Sequence, residues 1–452
     1  MTAPAAPSPD RTPDRAPATR RITLPLATGL VIGTMIGSGI FTLPASLAKF
    51  GPVSLVAFAV TAFGSIMLAL AFASLARRIP ETGGPYAFAR TGFGDFMGFE
   101  TAWNYWIGLW VSVGAIAVSF TGYLGELVPA VGESRTWQVV AAVGAITLLT
   151  LLNALGTAVG GVVTTVLTVL KVVPLVILVA VGLFRIDWAN FGPFVTADYS
   201  FFGAILAALP LTLFAFIGFE SATVPAGDVE NPEKTIPRAT ILGSVSVAAL
   251  YLLVTFVVFG TVPNAELQES AAPLADSATS VMGVGGTFMS LAAVVSTLGA
   301  MTGLILIQAQ VPLAAGRDHL FPSVFARTSP RGVPLVGIVV SSLLAVVVTV
   351  ANLSGGGGLV EVYEKIVLLS TVATLVPYAF SAGAEMVWVA TTRTAVPRAR
   401  LARNFVVALL GFGYAVVAII GAGSESVYLW VPLFLLGVIA YVWVLHRPAA
   451  TP

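Results

Sequence analysis

Two short stretches carry the residues best suited to hold a small charged molecule. The first reads Gly33-Thr34-Met35-Ile36-Gly37-Ser38-Gly39-Ile40-Phe41 and the second Phe216-Ile217-Gly218-Phe219-Glu220-Ser221, each inside a long apolar run. A glycine inside a helix costs about 1 kcal/mol against alanine. In a membrane such residues serve either close helix packing or a break in the helix. A break frees backbone N–H groups, and the half-helix that follows points its positive N-terminal end into the gap. Such a gap binds a carboxylate without any arginine or lysine. Carbonyls freed at the second stretch would accept an ammonium. Together the two gaps suit an α-amino acid.

Two charges accompany them. Lys171 lies about half-way along the apolar run 161–184, near mid-bilayer at about 1.5 Å per residue. A lysine there costs about 2.5–3.5 kcal/mol on insertion scales. Snorkelling would have to reach an interface about 15 Å away, so a functional ammonium or a permanently charged pin is the better reading. Glu220 sits beside the second break and is read either as a fixed acceptor that braces it or as a proton-linked gating group.

Other chemistry is excluded by what is missing. There is no Cys, and the two His, His319 and His446, fall outside the apolar runs. Neither a metal site nor a cofactor is expected. Ser38 has no intramembrane histidine to activate it as a nucleophile, so an enzyme is not expected. The net charge of +1 leaves no basic footprint for nucleic acid.

The elements that must position these residues follow from composition. Charged residues make up 10% of the 452, against about 25% in soluble domains, and mean hydropathy is +0.95. Apolar runs recur at 24–48, 54–76, 96–127, 137–156, 161–184, 201–225, 239–262, 286–311, 334–353, 366–391, 404–422 and 427–445, numbered here runs 1 to 12. Their continuity predicts an all-α integral membrane protein of 12 transmembrane helices, since barrel strands alternate in shorter segments. Of the 22 Lys and Arg, only Lys49, Arg135, Arg185 and Lys365 fall in loops opposite the N-terminal side. The positive-inside rule therefore places both termini in the cytoplasm. Residues 1–20 lack an apolar signal segment and read as a disordered cytoplasmic tail. Gly355-Gly356-Gly357-Gly358 reads as a flexible extracellular connector.

Four motifs in order give the chain a resemblance to the amino acid–polyamine–organocation superfamily. They are Ile36-Gly37-Ser38-Gly39-Ile40-Phe41 in run 1, Pro80-Glu81-Thr82-Gly83-Gly84-Pro85-Tyr86 after run 2, Glu230-Asn231-Pro232-Glu233-Lys234-Thr235-Ile236-Pro237-Arg238 after run 6, and Gly316-Arg317-Asp318-His319-Leu320-Phe321-Pro322 after run 8. The chain looks like the basic amino acid/polyamine antiporters, but with a run 5 lysine as in proton-coupled amino acid permeases. The resemblance implies a LeuT-type 5+5 inverted repeat plus two peripheral helices, with repeats at 21–190 and 191–395 and the last two helices in 396–452. It implies alternating access of an amino acid or amine. By motif, Gly37, Ser38 and Gly39 match the carboxylate-binding segment, with Ile36 preceding it, and Ile217, Gly218 and Phe219 match the ammonium-binding segment. Glu220 matches an acid used in proton-linked gating, and Lys171 matches an ammonium that replaces a coupling sodium ion and braces run 1 against run 8, one that could load and unload a proton.

The chain departs from the arginine/agmatine exchangers where the substrate side chain is read. Aligned on Tyr105-Trp106, their run 3 Asn becomes Val113; their run 8 Trp becomes Leu304 and their run 6 gating Trp becomes Phe214. With Ile116 and Phe219 placed toward the site, the pocket reads as largely apolar. An unpaired guanidinium there is costly to bury, so a neutral amino acid is expected, carried with protons or by exchange. The alternative is a basic amino acid or polyamine antiporter. A transport-dead nutrient sensor of the same fold would usually carry a large soluble extension. Tyr105, Tyr378 and Gln310 could line the pathway. Glu100 reads as a solvated or loop-bracing acid, and Glu385 as a pathway acid or a salt-bridge partner. Protons and membrane lipids are expected partners, and some members of the superfamily form homodimers.

Overall fold

Long apolar runs in lipid leave the α-helix as the way to pair every backbone N–H and C=O within the segment. The computed structural model describes residues 22–79, 84–156, 161–223, 229–391 and 397–446, with the backbone alone at 161–167 and 222–223. The tail expected at 1–20 and the start of the loop after run 2 lie outside the described residues. Among the described residues seventeen α-helices follow in order. Run 1 is α1 (Leu24–Met35) and α2 (Ser38–Ala48), bent by 44° at Ile36-Gly37. Next come α3 (Ser54–Ala76), α4 (Pro85–Phe93), α5 (Asp95–Leu127), α6 (Pro129–Glu133), α7 (Arg135–Ala154) and α8 (Gly161–Gly182). Run 6 is α9 (Phe201–Phe216) followed by a 3-10 turn at Phe219–Thr223. The rest are α10 (Pro232–Thr261), α11 (Asn264–Leu267), α12 (Pro273–Met282), α13 (Gly285–Arg317), α14 (Leu335–Ser354), α15 (Leu359–Thr391), α16 (Arg398–Gly421) and α17 (Gly423–Leu445).

Among the described residues, ten helices are long and apolar enough to cross a membrane, and the bent pair α1–α2 makes an eleventh. The apolar stretch at 168–182 of α8 is shorter. Among the described residues, one isolated extended pairing joins Ile22 to Val229, so the chain entering run 1 is tied to the chain leaving run 6.

Several elements go beyond the apolar runs. The short helices α4, α6, α11 and α12 lie in connections, and α4, α6 and α12 have proline in their first turns, where its missing N–H costs nothing. Helix α15 starts at Leu359 rather than near 366. Its first turn carries Glu361, which suits a helix N-terminus, and Lys365 pairs with it one turn on at 2.8 Å. In the four glycines between α14 and α15, Gly356 and Gly357 stand at positive φ and the Gly357 carbonyl accepts from Arg135.

Helices α5 and α15 form the centre. About 94% and 89% of their most apolar windows are buried, against 6% for α17, which is peripheral. Small hydroxyl residues let the central helices meet: Ser112 and Ser370 hydrogen-bond at 2.6 Å between α5 and α15, and Thr42 and Ser119 at 2.6 Å between α2 and α5. In the first break, a Cβ at Gly39 would stand 2.9 Å from Ala215 Cα. Close packing therefore explains Gly39 but not Gly37, whose Cβ would meet only Ala300 at 3.6 Å.

Gly39→Val is expected to destabilise the protein by about 1–3 kcal/mol through overpacking, read as a lower melting temperature in detergent. Gly37→Ala is expected to leave that temperature near the parent value. Equal effects would contradict the assigned contact.

Candidate functional site

At the end of α1 the helix stops and its last carbonyls lose their intrahelical partners. Two side chains from other helices supply donors. Lys171 of α8, only 5% exposed, donates from Nζ to Ile36 O at 3.1 Å and to Gly33 O at 3.4 Å. Tyr251 of α10 donates to Met35 O at 2.8 Å. The negative end of the half-helix thus meets an ammonium and a phenol. The Lys171 bonds go to run 1; none to run 8 is formed among the described residues. Ile36 contributes its carbonyl here, while its side chain lines a groove of about 470 Å³ with Val172 and Val247.

The second break is held from within and across. Gly218 has φ +111, a conformation glycine tolerates, and a Cβ there would press on Thr34 at 3.2–3.3 Å. Thr34 donates to Gly218 O at 3.2 Å and hydrogen-bonds Ser221 Oγ at 2.8 Å, joining the two breaks. Glu220, 4% exposed, accepts from Tyr105 at 2.8 Å and Tyr378 at 2.9 Å on one oxygen, and from the Gly218 N–H at 3.0 Å on the other. One carboxylate therefore links run 6 to α5 and α15. Phe219 turns away from the gap into a layer with Phe72 and Tyr378, ring centroids 5.7 and 4.9 Å away.

The first turn of α2 carries the N–H groups that begin a helix and have no carbonyl one turn back. Ser38, 1% exposed, stands in that turn. Its hydroxyl and that of Tyr363 on α15 are both buried without a hydrogen-bond partner, near each other but short of bonding geometry. The Phe214 ring meets Tyr363 edge-on at 6.1 Å. Val113 and Ile116 are buried on α5, and Leu304 is half-buried on α13. Gln310 is exposed on α13, because it falls on the face turned away from the bundle. Sequence reasoning missed Thr34, Tyr251 and Tyr363. Thr34 stood inside the quoted motif as a hydroxyl next to a break; the two tyrosines gave no local signal.

Ion pairs flank the breaks at both ends of the bundle. Lys49, at the end of α2, pairs with Glu364 on α15. At the other end Glu385 accepts from Arg78 at 2.5 Å and Ser74 at 2.9 Å, which makes it a salt-bridge partner rather than a pathway acid. Glu100 is fully buried rather than solvated. It sits over a turn inside α5, accepts from Asn104 at 3.3 Å, and Trp430 of α17 donates to Asn104 Oδ1 at 2.8 Å. Tyr86 of α4 donates to Asp318 at 2.6 Å, and Arg90 bridges Asp318 and Asp95 at 2.9 and 2.7 Å. Burial first, and then the Asp318 contact, push the Tyr86 hydroxyl above its ordinary pKa, so it stays a donor.

With this geometry in hand, known proteins place the chain. The sequence pattern of the amino acid permeases matches residues 22–445. The chain is similar to the arginine/ornithine antiporter of Pseudomonas aeruginosa, 32% identical over 91% of this chain and 88% of that protein. It is similar to the putrescine transporter PotE of Escherichia coli K12, 31% identical over 86% and 88%. It is also similar to the cadaverine/lysine antiporter of Escherichia coli K12, 29% identical over 86% and 87%.

Tyr105 and Tyr378 share one Glu220 oxygen, so each covers for the loss of the other. Tyr105→Phe and Tyr378→Phe should therefore couple by about 0.5–3 kcal/mol in a double-mutant cycle of unfolding. Strict additivity would contradict the shared acceptor.

Proposed function

We propose that this chain, which belongs to the amino acid permease family, exchanges a cationic amino acid or polyamine across the cytoplasmic membrane by alternating access. It is a multi-pass membrane transporter, and its relatives carry amino acids or amines. The carrying observation is that both helix breaks meet in one buried region, with the first turn of α2 on one side and Ile217-Gly218-Phe219 on the other. In this reading the first-turn N–H groups at Ser38 and Gly39 receive a carboxylate, and carbonyls of the Ile217-Gly218-Phe219 segment receive an ammonium. The fold reads as twelve spans in two inverted repeats, 21–190 and 191–395, with 396–452 adding the last two helices and both termini cytoplasmic.

The named substrates of the relatives are cationic, which favours a basic substrate over the neutral amino acid expected from Val113, Leu304 and Phe214. Those three residues do remove the polar clasp of an arginine exchanger. They leave an aromatic face at Phe214 near the hydroxyls of Ser38 and Tyr363, and rings and hydroxyl oxygens both attract an ammonium. A diamine or a lysine-like chain fits that description better than a clasped guanidinium. Lys171 then acts as the fixed or proton-loading cation at run 1, and Glu220 as the acid that couples the run 6 break to α5 and α15.

The test is counterflow in proteoliposomes loaded with lysine, ornithine, putrescine or leucine, using radiolabelled lysine outside. Uptake should be driven by the cationic compounds and not by leucine, and Ser38→Trp should reduce it to background while the protein still inserts. With radiolabelled leucine outside instead, uptake driven by internal leucine, together with no exchange of labelled lysine, would return the substrate to the neutral class. Glu220→Gln and Lys171→Ala should each flatten the pH profile of exchange; unchanged profiles would reduce both residues to bracing.

A further inference from the structure

The basic end of the bundle holds a second cavity, apart from the two helix breaks. It measures about 360 Å³ and opens where the ends of α3, α10, α15 and α16 meet. Four cations line it: Arg77, Lys234, Arg238 and Arg403. Two acids also line it. Glu385 is already saturated by Arg78, Ser74 and Asn404, and Arg78 is further held at 3.4 Å over the Trp388 ring. Glu233 alone stands against the four cations, a surplus of three positive charges. Among the described residues, Lys234, Arg238 and Arg403 form no ion pair. Burial first, and then the neighbouring Arg78 charge, lower the Arg77 pKa, as cations crowded together would.

The walls are of a different kind. Leu70 and Val407 line the cavity behind the cations, and the outer faces of the same helices carry exposed Leu242, Phe405 and Val406. A soluble anion needs only the charged rim. A molecule with a phosphate head and acyl chains uses both the rim and the apolar face that continues into the bilayer.

We propose that this cavity binds the phosphate headgroup of an anionic phospholipid, with Arg238 and Arg403 as its principal contacts and the acyl chains lying along α10 and α16. Basic pockets between helices on the cytoplasmic side suit such headgroups, and in the proposed orientation this end faces the cytoplasm. The site ties α3, α10, α15 and α16 together at the level of the Arg78–Glu385 pair, so an occupied cavity stabilises that packing.

The test uses the full-length protein in detergent, titrated with phosphatidylglycerol, phosphatidylcholine or inorganic phosphate, with melting temperature and native mass spectrometry as readouts. Phosphatidylglycerol should stabilise and be retained, and phosphatidylcholine should do neither. Arg238→Gln with Arg403→Gln should weaken phosphatidylglycerol binding about 30-fold, from about 1 kcal/mol per basic residue. The corresponding double lysine variant should restore most of it. Arg327→Gln, at the same end but outside the cavity, controls for general charge. The lipid-free melting temperature of each variant reports whether it folds. Equal stabilisation by inorganic phosphate would assign the site to a soluble anion and overturn the lipid. An equal loss with Arg327→Gln, or no loss with the double glutamine variant, would overturn the site. These outcomes do not depend on which amino acid or amine is exchanged.

Discussion

Breaking a helix inside a bilayer strands backbone groups where no water can reach them, and each such group costs several kcal/mol if left unpaired. The protein breaks two helices side by side, and much of its buried polar chemistry answers that cost. Lys171 and Tyr251 take the carbonyls of Gly33, Met35 and Ile36; Thr34 takes the carbonyl of Gly218; Glu220 takes the Gly218 N–H. The donors to run 1 come from α8 and α10, the donor to Gly218 from α1, and Glu220 in turn engages α5 and α15. The breaks are therefore braced by four other helices, with the buried lysine held on backbone carbonyls and the buried glutamate on a backbone N–H and two phenols. What is left over, the first-turn N–H groups of α2 with the hydroxyls of Ser38 and Tyr363, is what a ligand could use.

Helix α15 makes polar contacts along its whole length. Near one end Glu364 pairs with Lys49, at mid-length Tyr378 donates to Glu220, and toward the other end Glu385 pairs with Arg78. Tyr363, beside Phe214, belongs to the same helix. A shift of α15 changes contacts to α2, to the run 6 break and to α3 together.

Much of this architecture was legible in the sequence because lipid makes hydropathy and helix length nearly equivalent. The breaks at Gly37 and Gly218 were readable because glycine in an apolar run has few uses. Lys171 and Glu220 stood out because an intramembrane charge is expensive. The partners were not readable. Tyr251, Tyr363 and Tyr378 look like ordinary aromatics until tertiary packing directs their hydroxyls, and periodicity does not reveal which turn of α10 or α15 faces a break. Glu100 was misjudged because it lies close to the start of α5, yet α17 closes over it. The neutral substrate expected from Val113, Leu304 and Phe214 rested on lost side-chain contacts alone, whereas the substrates named for the similar proteins favour the basic alternative.

The most direct test of the central claim is an experimental structure with bound lysine. The account predicts the α-carboxylate within about 3 Å of the Ser38 and Gly39 N–H groups, the α-ammonium on the carbonyls of Ile217-Gly218-Phe219, and the side-chain ammonium near Phe214 and Tyr363. Lysine found elsewhere, with the first turn of α2 closed against protein or water, would contradict the assignment of the two breaks as the binding site.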